Sequence, residues 1–194
     1  MSSRPAYHSQ WTNQAAHGTA APMPDEMDIF APDASNERDL RRAFARFGTG
    51  VTVVTAQTQN GPVAMTANSF TSISLDPPLI LWSPAKASKR HAAFVNATRF
   101  CVHVLAADQL PMALHFAKHG DQFDAYDWSV SAQDLPVLPH CLAVFHCETD
   151  AVYSAGDHSL VLGLVTGVNL SHSTRTGLIF ADGTYGKAAP FDVP

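Results

Sequence analysis

The sequence predicts a mainly β domain, an antiparallel barrel with a few peripheral helices. Short runs rich in Val, Ile and Thr outnumber the segments with helical periodicity along the 194 residues. Tight turns such as Asp76-Pro77-Pro78 and Ala155-Gly156-Asp157 join most of these runs. Because connections this short cannot carry the crossover that parallel strands need, we expect antiparallel pairing closed into a barrel.

The predicted elements occupy residues 36–187. Residues 1–35 are rich in Ala, Pro, Ser and Gln without an apolar period, so we expect a flexible N-terminal tail. Residues 188–194 are expected to form a short C-terminal tail.

The first half of the domain begins with a predicted helix. Ser35 or Asn36 suits its N-cap, and Gly48 ends it. The apolar side chains of this helix fall on one face: Leu40, Ala43, Phe44 and Phe47. Strands are then predicted in G-V-T-V-V-T-A-Q, V-A-M-T-A, N-S-F-T-S-I-S-L and L-I-L-W-S, with an Asn60-Gly61 turn after the first. A short helix, S-K-R-H-A-A-F-V-N-A, follows with Ser88 as its cap.

The second half alternates strands with one longer helix. R-F-C-V-H-V-L-A is a predicted strand, and a helix runs from Asp108 to Gly120 with Pro111 in its first turn. The next segment, D-Q-F-D-A-Y-D-W-S-V-S-A-Q-D-L-P-V-L-P, has aromatics, acids and prolines without a period, so we expect an ordered loop. Two long strands then meet at Gly156-Asp157, and a last short strand precedes a turn at Gly183.

Charge is scarce: 46% of residues are hydrophobic and 15% are charged, against about 25% charged in an average protein. A surface this poor in charge hints that a partner subunit covers part of it. Twelve basic and seventeen acidic residues give a net charge of −5 with no basic run, which argues against nucleic-acid binding. No apolar run approaches a membrane helix or a signal peptide, and we expect a cytoplasmic protein whose three cysteines are reduced and buried.

Common catalytic and metal motifs are absent from the sequence. It has no G-x-G-x-x-G between a strand and a helix, no P-loop and no G-x-S-x-G elbow. His115 and His119 have the spacing of two zinc ligands, but Phe116 stands where H-E-x-x-H has Glu. His140-Cys141 and His146-Cys147 lack C-x-x-C spacing, so no metal site is predicted.

Two segments carry the candidate chemistry. Small hydroxyl side chains crowd around Asn68 between two apolar strands, a pattern that equally fits a half-exposed sheet face. Gly156-Asp157-His158 lies at a turn between two apolar strands, where an ordinary surface turn is the alternative.

In this order and spacing the chain resembles the short-chain flavin reductase family, the reductase components of two-component flavin-dependent monooxygenases. The matched pieces are F-G-T-G-V-T-V-V-T, M-T-A-N-S-F-T-S-I-S-L-D-P-P-L-I-L, A-S-K-R, F-C-V-H-V-L-A-A-D-Q, F-A-K-H-G-D-Q-F-D, L-P-V-L, G-D-H-S-L-V-L-G-L-V and G-T-Y. They cover residues 37 to about 187. The resemblance implies a homodimeric, Greek-key, FMN-binding split barrel with FMN or FAD near the subunit interface and NADH or NADPH as hydride donor.

The resemblance also implies site residues. The isoalloxazine and ribityl contacts would come from Thr66, Ala67, Asn68, Ser69 and Ser72. The phosphate contacts would come from Ser83, Ser88 and Lys89, the last two at a helix N-terminus that favours anions. His158 would be the catalytic contact to the nicotinamide, beside a turn that Asp157 fixes by capping backbone N–H groups. Tyr185 would close the pocket, and Phe123 would stack on a ring or, equally, be buried.

The implied function is an NAD(P)H:flavin oxidoreductase that supplies reduced flavin to an oxygenase. The principal alternative is a flavoredoxin-like electron carrier of the same fold that keeps its FMN. Two departures from the family pattern stand out. Trp82 replaces a smaller residue and is expected to narrow the flavin pocket or stack on an adenine, and S-P-A-K-A-S-K carries lysine where threonine is frequent.

Overall fold

The computed structural model describes residues 28–189. The chain divides into two compact units, Met1–Glu37 and Arg38–Pro194. Most of the predicted N-terminal tail and the end of the predicted C-terminal tail therefore lie outside the described residues.

Helices and short strands follow one another along the second unit. The helices are Glu37–Ala45 (α1), His91–Val95 (α2) and Leu110–Lys118 (α3), with 3₁₀ turns at Ala107–Gln109 and Phe123–Ala125. The first strands are Thr49–Gly50 (β1), Thr52–Thr58 (β2), Gly61–Ala67 (β3), Thr71–Leu75 (β4), Pro78–Trp82 (β5) and Arg99–Val104 (β6). The later strands are Ser129–Val130 (β7), Pro136–Val137 (β8), Ala143–Ala155 (β9), His158–Leu170 (β10), Leu178–Ala181 (β11) and Thr184–Lys187 (β12).

All the strand pairs are antiparallel, which confirms the predicted fold class. A seven-stranded sheet has the order β3-β2-β6-β9-β10-β5-β4, and a three-stranded sheet has the order β1-β11-β12. The connections from β3 to β4 and from β5 to β6 cross the large sheet. They bring the ends of β3, β5 and β10 within reach of one another.

Strand β2 is buried on both faces from Thr52 to Ala56, so its valines, alanine and two threonines all lie in the interior. Val53 and Val54 are both 0% exposed and belong to two different core clusters. Neighbouring residues of a strand point to opposite faces, so each cluster fills one side of β2. The first cluster includes Leu105, Phe116, Phe123 and Leu138, and the second includes Trp82, Phe94, Phe100 and Val161.

Helix α1 forms where the periodicity predicts it, but its apolar face is not part of the core. Phe44 is 69% exposed and Phe47 is 77% exposed. The helix is fixed at its C-terminal end, where the Asp182 amide donates to the Ala45 carbonyl at 2.8 Å and Arg46 pairs with the Asp182 carboxylate at 3.2 Å. The 3.6-residue period therefore predicted the helix correctly, but not what its apolar face contacts.

Two predicted boundaries are wrong. Helix α2 begins at His91 rather than at Ser88, because the Ser88 hydroxyl accepts a hydrogen bond from the Arg90 amide at 3.2 Å and shapes the preceding turn instead. With five residues, α2 is also too short to act as an anion-binding helix N-terminus. The first hairpin turn lies at Gln59-Asn60, and Gly61 opens β3 with a φ of 108°.

The Arg90 guanidinium joins the loop before α2 to β3 and to the end of α3. It donates to the carbonyl oxygens of Ala64 at 2.9 Å, Phe116 at 2.6 Å and Ala117 at 2.8 Å. Gly120 lies against this junction, since its carbonyl accepts from the Ala64 amide at 2.7 Å. The junction holds α3 and the loop before α2 against the same strand.

We expect Gly120→Ala to lower the free energy of unfolding by about 2 kcal/mol, the usual cost of overpacking a filled site. A Cβ at position 120 would lie 2.6 Å from the Ala64 carbonyl oxygen and would overlap Cδ of Arg90. Urea unfolding measures the effect. Gly50→Ala is the control, because a Cβ at position 50 meets nothing within 4 Å. Equal losses in the two variants would contradict the steric explanation.

Candidate functional site

The two segments that the sequence predicts to bind flavin are joined by a serine. The Ser69 hydroxyl, after β3, accepts from the Ser83 amide at 2.9 Å and donates to the Ser83 carbonyl at 3.3 Å. Residues 67–69 and residues 83–89 therefore form adjacent loops at one end of the large sheet.

Thr66, Ala67 and Asn68 line a cleft with Tyr185. The cleft has a volume of about 200 Å³, and Val51, Ala117 and Phe180 complete its walls. The Thr66 hydroxyl donates to the Ala113 carbonyl at 2.6 Å, so its hydrogen is used by the fold while its oxygen can still accept. The Asn68 amide donates to the Thr49 hydroxyl at 3.2 Å, and the Tyr185 ring stands 4.9 Å from the Phe180 ring.

The Gly156-Asp157-His158 turn presents an imidazole with a defined orientation. Gly156 has a φ of +56°, which glycine adopts without strain. His158 Nδ1 lies 2.8 Å from the Asp157 carboxylate, so the hydrogen on Nδ1 is directed at the carboxylate and Nε2 is left for other contacts. This hydrogen bond, and then the charge of His158, hold the pKa of Asp157 below its usual value. Asp157 thus orients the histidine, and a hydrogen bond from its own backbone also lowers its pKa, in line with the predicted capping of a backbone amide.

The turn is attached to the 83–89 loop. Ala85 and His158 form an antiparallel bridge, the Lys86 amide donates to the Asp157 carbonyl at 2.8 Å, and the Ser159 amide donates to the Pro84 carbonyl at 3.1 Å. Contacts therefore connect the loop after β3, through Ser69 and Ser83, to the 83–89 loop and on to the His158 turn. Sequence reasoning did not predict the Lys86 contacts, since no local pattern signals a partner some seventy residues away.

The predicted phosphate residues take different positions. Ser88 is half-buried in the turn before α2, whereas the Lys89 side chain is exposed beside it. Ser83 contacts Ser69 and directly precedes Pro84, whose carbonyl accepts from the Ser159 amide beside the His158 turn. Ser72 is exposed on β4 opposite Ile80 and is not among the residues that line the cleft.

The two aromatic candidates, Phe123 and Trp82, both belong to the core. Phe123 is 3% exposed and packs against Phe116 and Trp128, with ring centroids 5.1 and 5.4 Å apart. Its burial matches the second of the two alternatives that the sequence leaves open. Trp82 is 0% exposed and meets the edge of Phe94 at 5.1 Å. It therefore neither narrows the cleft nor reaches an adenine.

The cysteines are free and buried, as predicted. Burial raises the pKa of Cys101 and Cys147 to about 12 and that of Cys141 to about 11. Since the thiolate is the reactive form, these side chains are inert at neutral pH.

The histidines with metal-like spacing have protein partners. Nε2 of His115 lies 2.7 Å from the Gln122 carbonyl. His146 lies between the Cys101 sulfur, 3.3 Å from its Nδ1, and the Asn169 amide oxygen, 2.7 Å from its Nε2. These contacts explain the two residues as parts of the fold.

A family model described as "flavin reductase like domain" matches residues 44–189. The chain belongs to this flavin reductase family. The match spans the cleft, the 83–89 loop and the His158 turn, and it confirms the family that the sequence resembles.

Named relatives of this flavin reductase are similar over most of their length. It is 47% identical over 168 residues to "FMN reductase (NADH) SmoA" of Agrobacterium fabrum, covering 87% of this chain and 95% of that protein. It is 34% identical over 161 residues to "Flavin-dependent monooxygenase, reductase subunit HsaB" of Rhodococcus jostii, covering 82% of each. The structure of Streptomyces globisporus NADH:FAD oxidoreductase SgcE6 with NAD and FAD fragments superposes with a TM-score of 0.78 at 38% identity, covering 85% of this chain and all of that one.

None of the helices between residues 28 and 189 combines the length and apolar character that spanning a membrane requires.

Proposed function

We propose that this flavin reductase transfers hydride from NADH to FMN or FAD and supplies the reduced flavin to a partner oxygenase. The observation that carries the proposal is the surface on which contacts through Ser69 and Ser83 join the cleft, lined by both polar and apolar side chains, to the oriented imidazole of His158. The names of the relatives support NADH as the donor and an oxygenase as the consumer.

The residues along this surface fit the chemistry of a flavin. The ring would lie in the cleft, where the Thr66 oxygen, the Asn68 amide and the strand-end backbone offer the donors and acceptors that a ring of mixed polarity needs. The phosphate would lie toward residues 83–89, where the hydroxyls of Ser83 and Ser88 and the ammonium of Lys89 supply the donors. Ser69 positions both the loop after β3 and the 83–89 loop, because its hydroxyl bonds the Ser83 backbone. Ser72 is left with no proposed contact.

His158 is proposed to contact the dinucleotide. Its Nδ1 is held by Asp157, so Nε2 is the atom presented toward the open side of the loop. When bound, the flavin accepts the hydride, and the protein needs no general acid of its own for that step. The chain's task is to stack two rings at about 3–3.5 Å and to exclude other orientations.

We propose that the enzyme is a homodimer. The cleft, at about 200 Å³, is smaller than the range of about 300–1,000 Å³ typical of ligand pockets, so a second subunit would supply the missing wall. Strand β4 ends the large sheet, and its Leu75 is 95% exposed and its Ile73 52% exposed. Apolar side chains on an open sheet edge are typical of a surface that a partner covers.

Sedimentation at micromolar concentration tests the dimer. We expect the mass of two chains for the wild type, and weaker self-association together with weaker flavin binding for Leu75→Lys. A wild-type monomer that binds flavin at full affinity would contradict this arrangement. The cytoplasmic location expected from the sequence stays a prediction.

Turnover of added flavin tests the function. NADH oxidation is followed at 340 nm with a large molar excess of FMN or of FAD, and NADPH is compared in parallel. Many equivalents oxidised per protein support the reductase. A single stoichiometric reduction of tightly held FMN would instead indicate the electron carrier, and no reduction at all would contradict both.

A further inference from the structure

Lys86 is an exposed residue whose side chain makes specific contacts with the tip of the β9–β10 hairpin. The residue lies in the 83–89 loop, and its ammonium donates to the Ser154 hydroxyl at 2.8 Å and to the Gly156 carbonyl at 2.6 Å. Its own amide donates to the Asp157 carbonyl at 2.8 Å. One lysine thus contacts three of the residues just before His158.

These contacts hold a part of the hairpin that the sheet does not support. Strand β10 pairs with β5 only over Val161–Leu164, so the tip of the β9–β10 hairpin extends beyond the edge of β5. Besides the pairing of β9 with β10, several contacts fix the tip: the Ala85 bridge, the amides of Lys86 and Ser159, the contact of His91 Nε2 with the Ser159 hydroxyl at 3.0 Å, and the Lys86 side chain. Of these, only the Lys86 side chain contacts the tip on both sides of Ala155.

The hydrogen bonds continue from Lys86 to the imidazole. The Gly156 carbonyl that accepts from Lys86 belongs to the peptide preceding Asp157, and the Asp157 carboxylate accepts from His158 Nδ1. One peptide group and one carboxylate therefore connect the Lys86 ammonium to the His158 ring.

We infer that Lys86 is a positioning residue that fixes the His158 imidazole relative to the 83–89 loop, and through it the binding of the dinucleotide. The inference rests on the proposed function, because it assigns His158 to that substrate. In this proposal Lys86 acts through the hairpin tip, by its bonds to Ser154 and Gly156, and is not assigned a contact with either substrate. Its loss therefore affects one substrate and spares the other.

Lys86→Met tests this inference by removing the ammonium and keeping most of the side-chain length. We expect the KM for NADH to rise about tenfold, while the Kd for flavin, measured by fluorescence quenching, stays within twofold. Lys86→Arg restores a donor that reaches the same acceptors and recovers most of the loss. Ser154→Ala removes one of the two acceptors and raises the KM about threefold. The control is Lys118→Met, an exposed lysine at the end of α3, with no change expected.

A measurement without turnover separates this inference from the proposed function. In ¹⁵N spectra of the histidine rings, Lys86→Met should shift or broaden the His158 signals and leave those of His115 unchanged. If the wild type fails to oxidise NADH with added flavin, the proposed function fails, and the ring spectra still decide whether Lys86 fixes His158. An unchanged NADH KM in a folded, active Lys86→Met would overturn the inference, as would equal losses for both substrates or unaltered His158 signals.

Discussion

Replacement of His158 by Ala is expected to lower kcat/KM for NADH about 30-fold while leaving the Kd for flavin within twofold. The side chain is 42% exposed at the tip of the β9–β10 hairpin, so its loss leaves the core intact. Losing one hydrogen bond to a charged or polar ligand group costs about 2 kcal/mol, which corresponds to a factor of about 30. Steady-state NADH titrations at saturating flavin measure the change.

Variants of Asp157 test whether NADH binding depends on the orientation of the His158 ring as well as on its presence. Asp157→Asn keeps an oxygen that accepts from His158 Nδ1 at the observed 2.8 Å but removes the charge, so we expect a loss of a few-fold. Asp157→Ala removes the acceptor and is expected to approach the His158→Ala value. His119→Ala, an exposed histidine at the end of α3, should be unaffected. If His158→Ala and His119→Ala have the same kcat/KM, the histidine has no part in dinucleotide binding.

Local signals in the sequence were enough to predict the β architecture. Asp76-Pro77-Pro78 and Gly156-Asp157 mark turns at the positions where hairpins form, and the runs between them become antiparallel strands. Turn chemistry depends on the residues within the turn, so it is visible without knowledge of the rest of the fold. The same reasoning assigned Thr66–Ser69 and residues 83–89 to one candidate site, because both segments follow predicted strands.

The points that the sequence left open or predicted wrongly share a physical cause, which is that burial and long-range contacts are properties of the whole fold. Phe123 lies in a segment whose residues show no period, so the sequence does not decide between stacking on a ring and filling the core, and the fold places it beside Phe116. Trp82 lies in a run with the pattern of a strand, but the packing of β5 in the whole fold decides that its ring contacts Phe94. The Lys86 contacts depend on a hairpin tip some seventy residues later.

The roles of Ser88 and Arg90 illustrate how tertiary contacts override a local rule. Serine before an apolar run is a good N-cap, and the sequence rule therefore starts the helix there. In the structure Arg90 is the N-cap instead, and its guanidinium bonds three carbonyl groups of β3 and α3. Helix α2 therefore begins two residues later than predicted, and Ser88 and Lys89 lie in the loop before it.

The buried imidazole of His103 is expected to make stability depend strongly on pH. The ring is 0% exposed in β6, where Nδ1 lies 2.9 Å from the Val53 carbonyl and Nε2 accepts from the Leu138 amide at 3.1 Å. Since Nε2 must accept, the neutral ring with hydrogen on Nδ1 is the form that fits. Burial, opposed by the Val53 hydrogen bond and assisted by His146, lowers the pKa of His103 from 6.5 to about 4.

The unfolded chain therefore binds a proton at this position more readily than the folded protein does between pH 6.5 and about 4. The free energy of unfolding carries no penalty from His103 above that window and falls as the pH drops through it, by about 3 kcal/mol at pH 4. His103→Gln is the matched variant, because a glutamine amide can donate to Val53 and accept from Leu138 but does not titrate. Urea unfolding at pH 7.5 and pH 4 should show the wild type losing about 3 kcal/mol more than the variant, since the acidic groups common to both contribute equally. Parallel losses in the two proteins would show that the ring is protonated without cost, and the neutral, doubly hydrogen-bonded imidazole would then be the wrong description of this core.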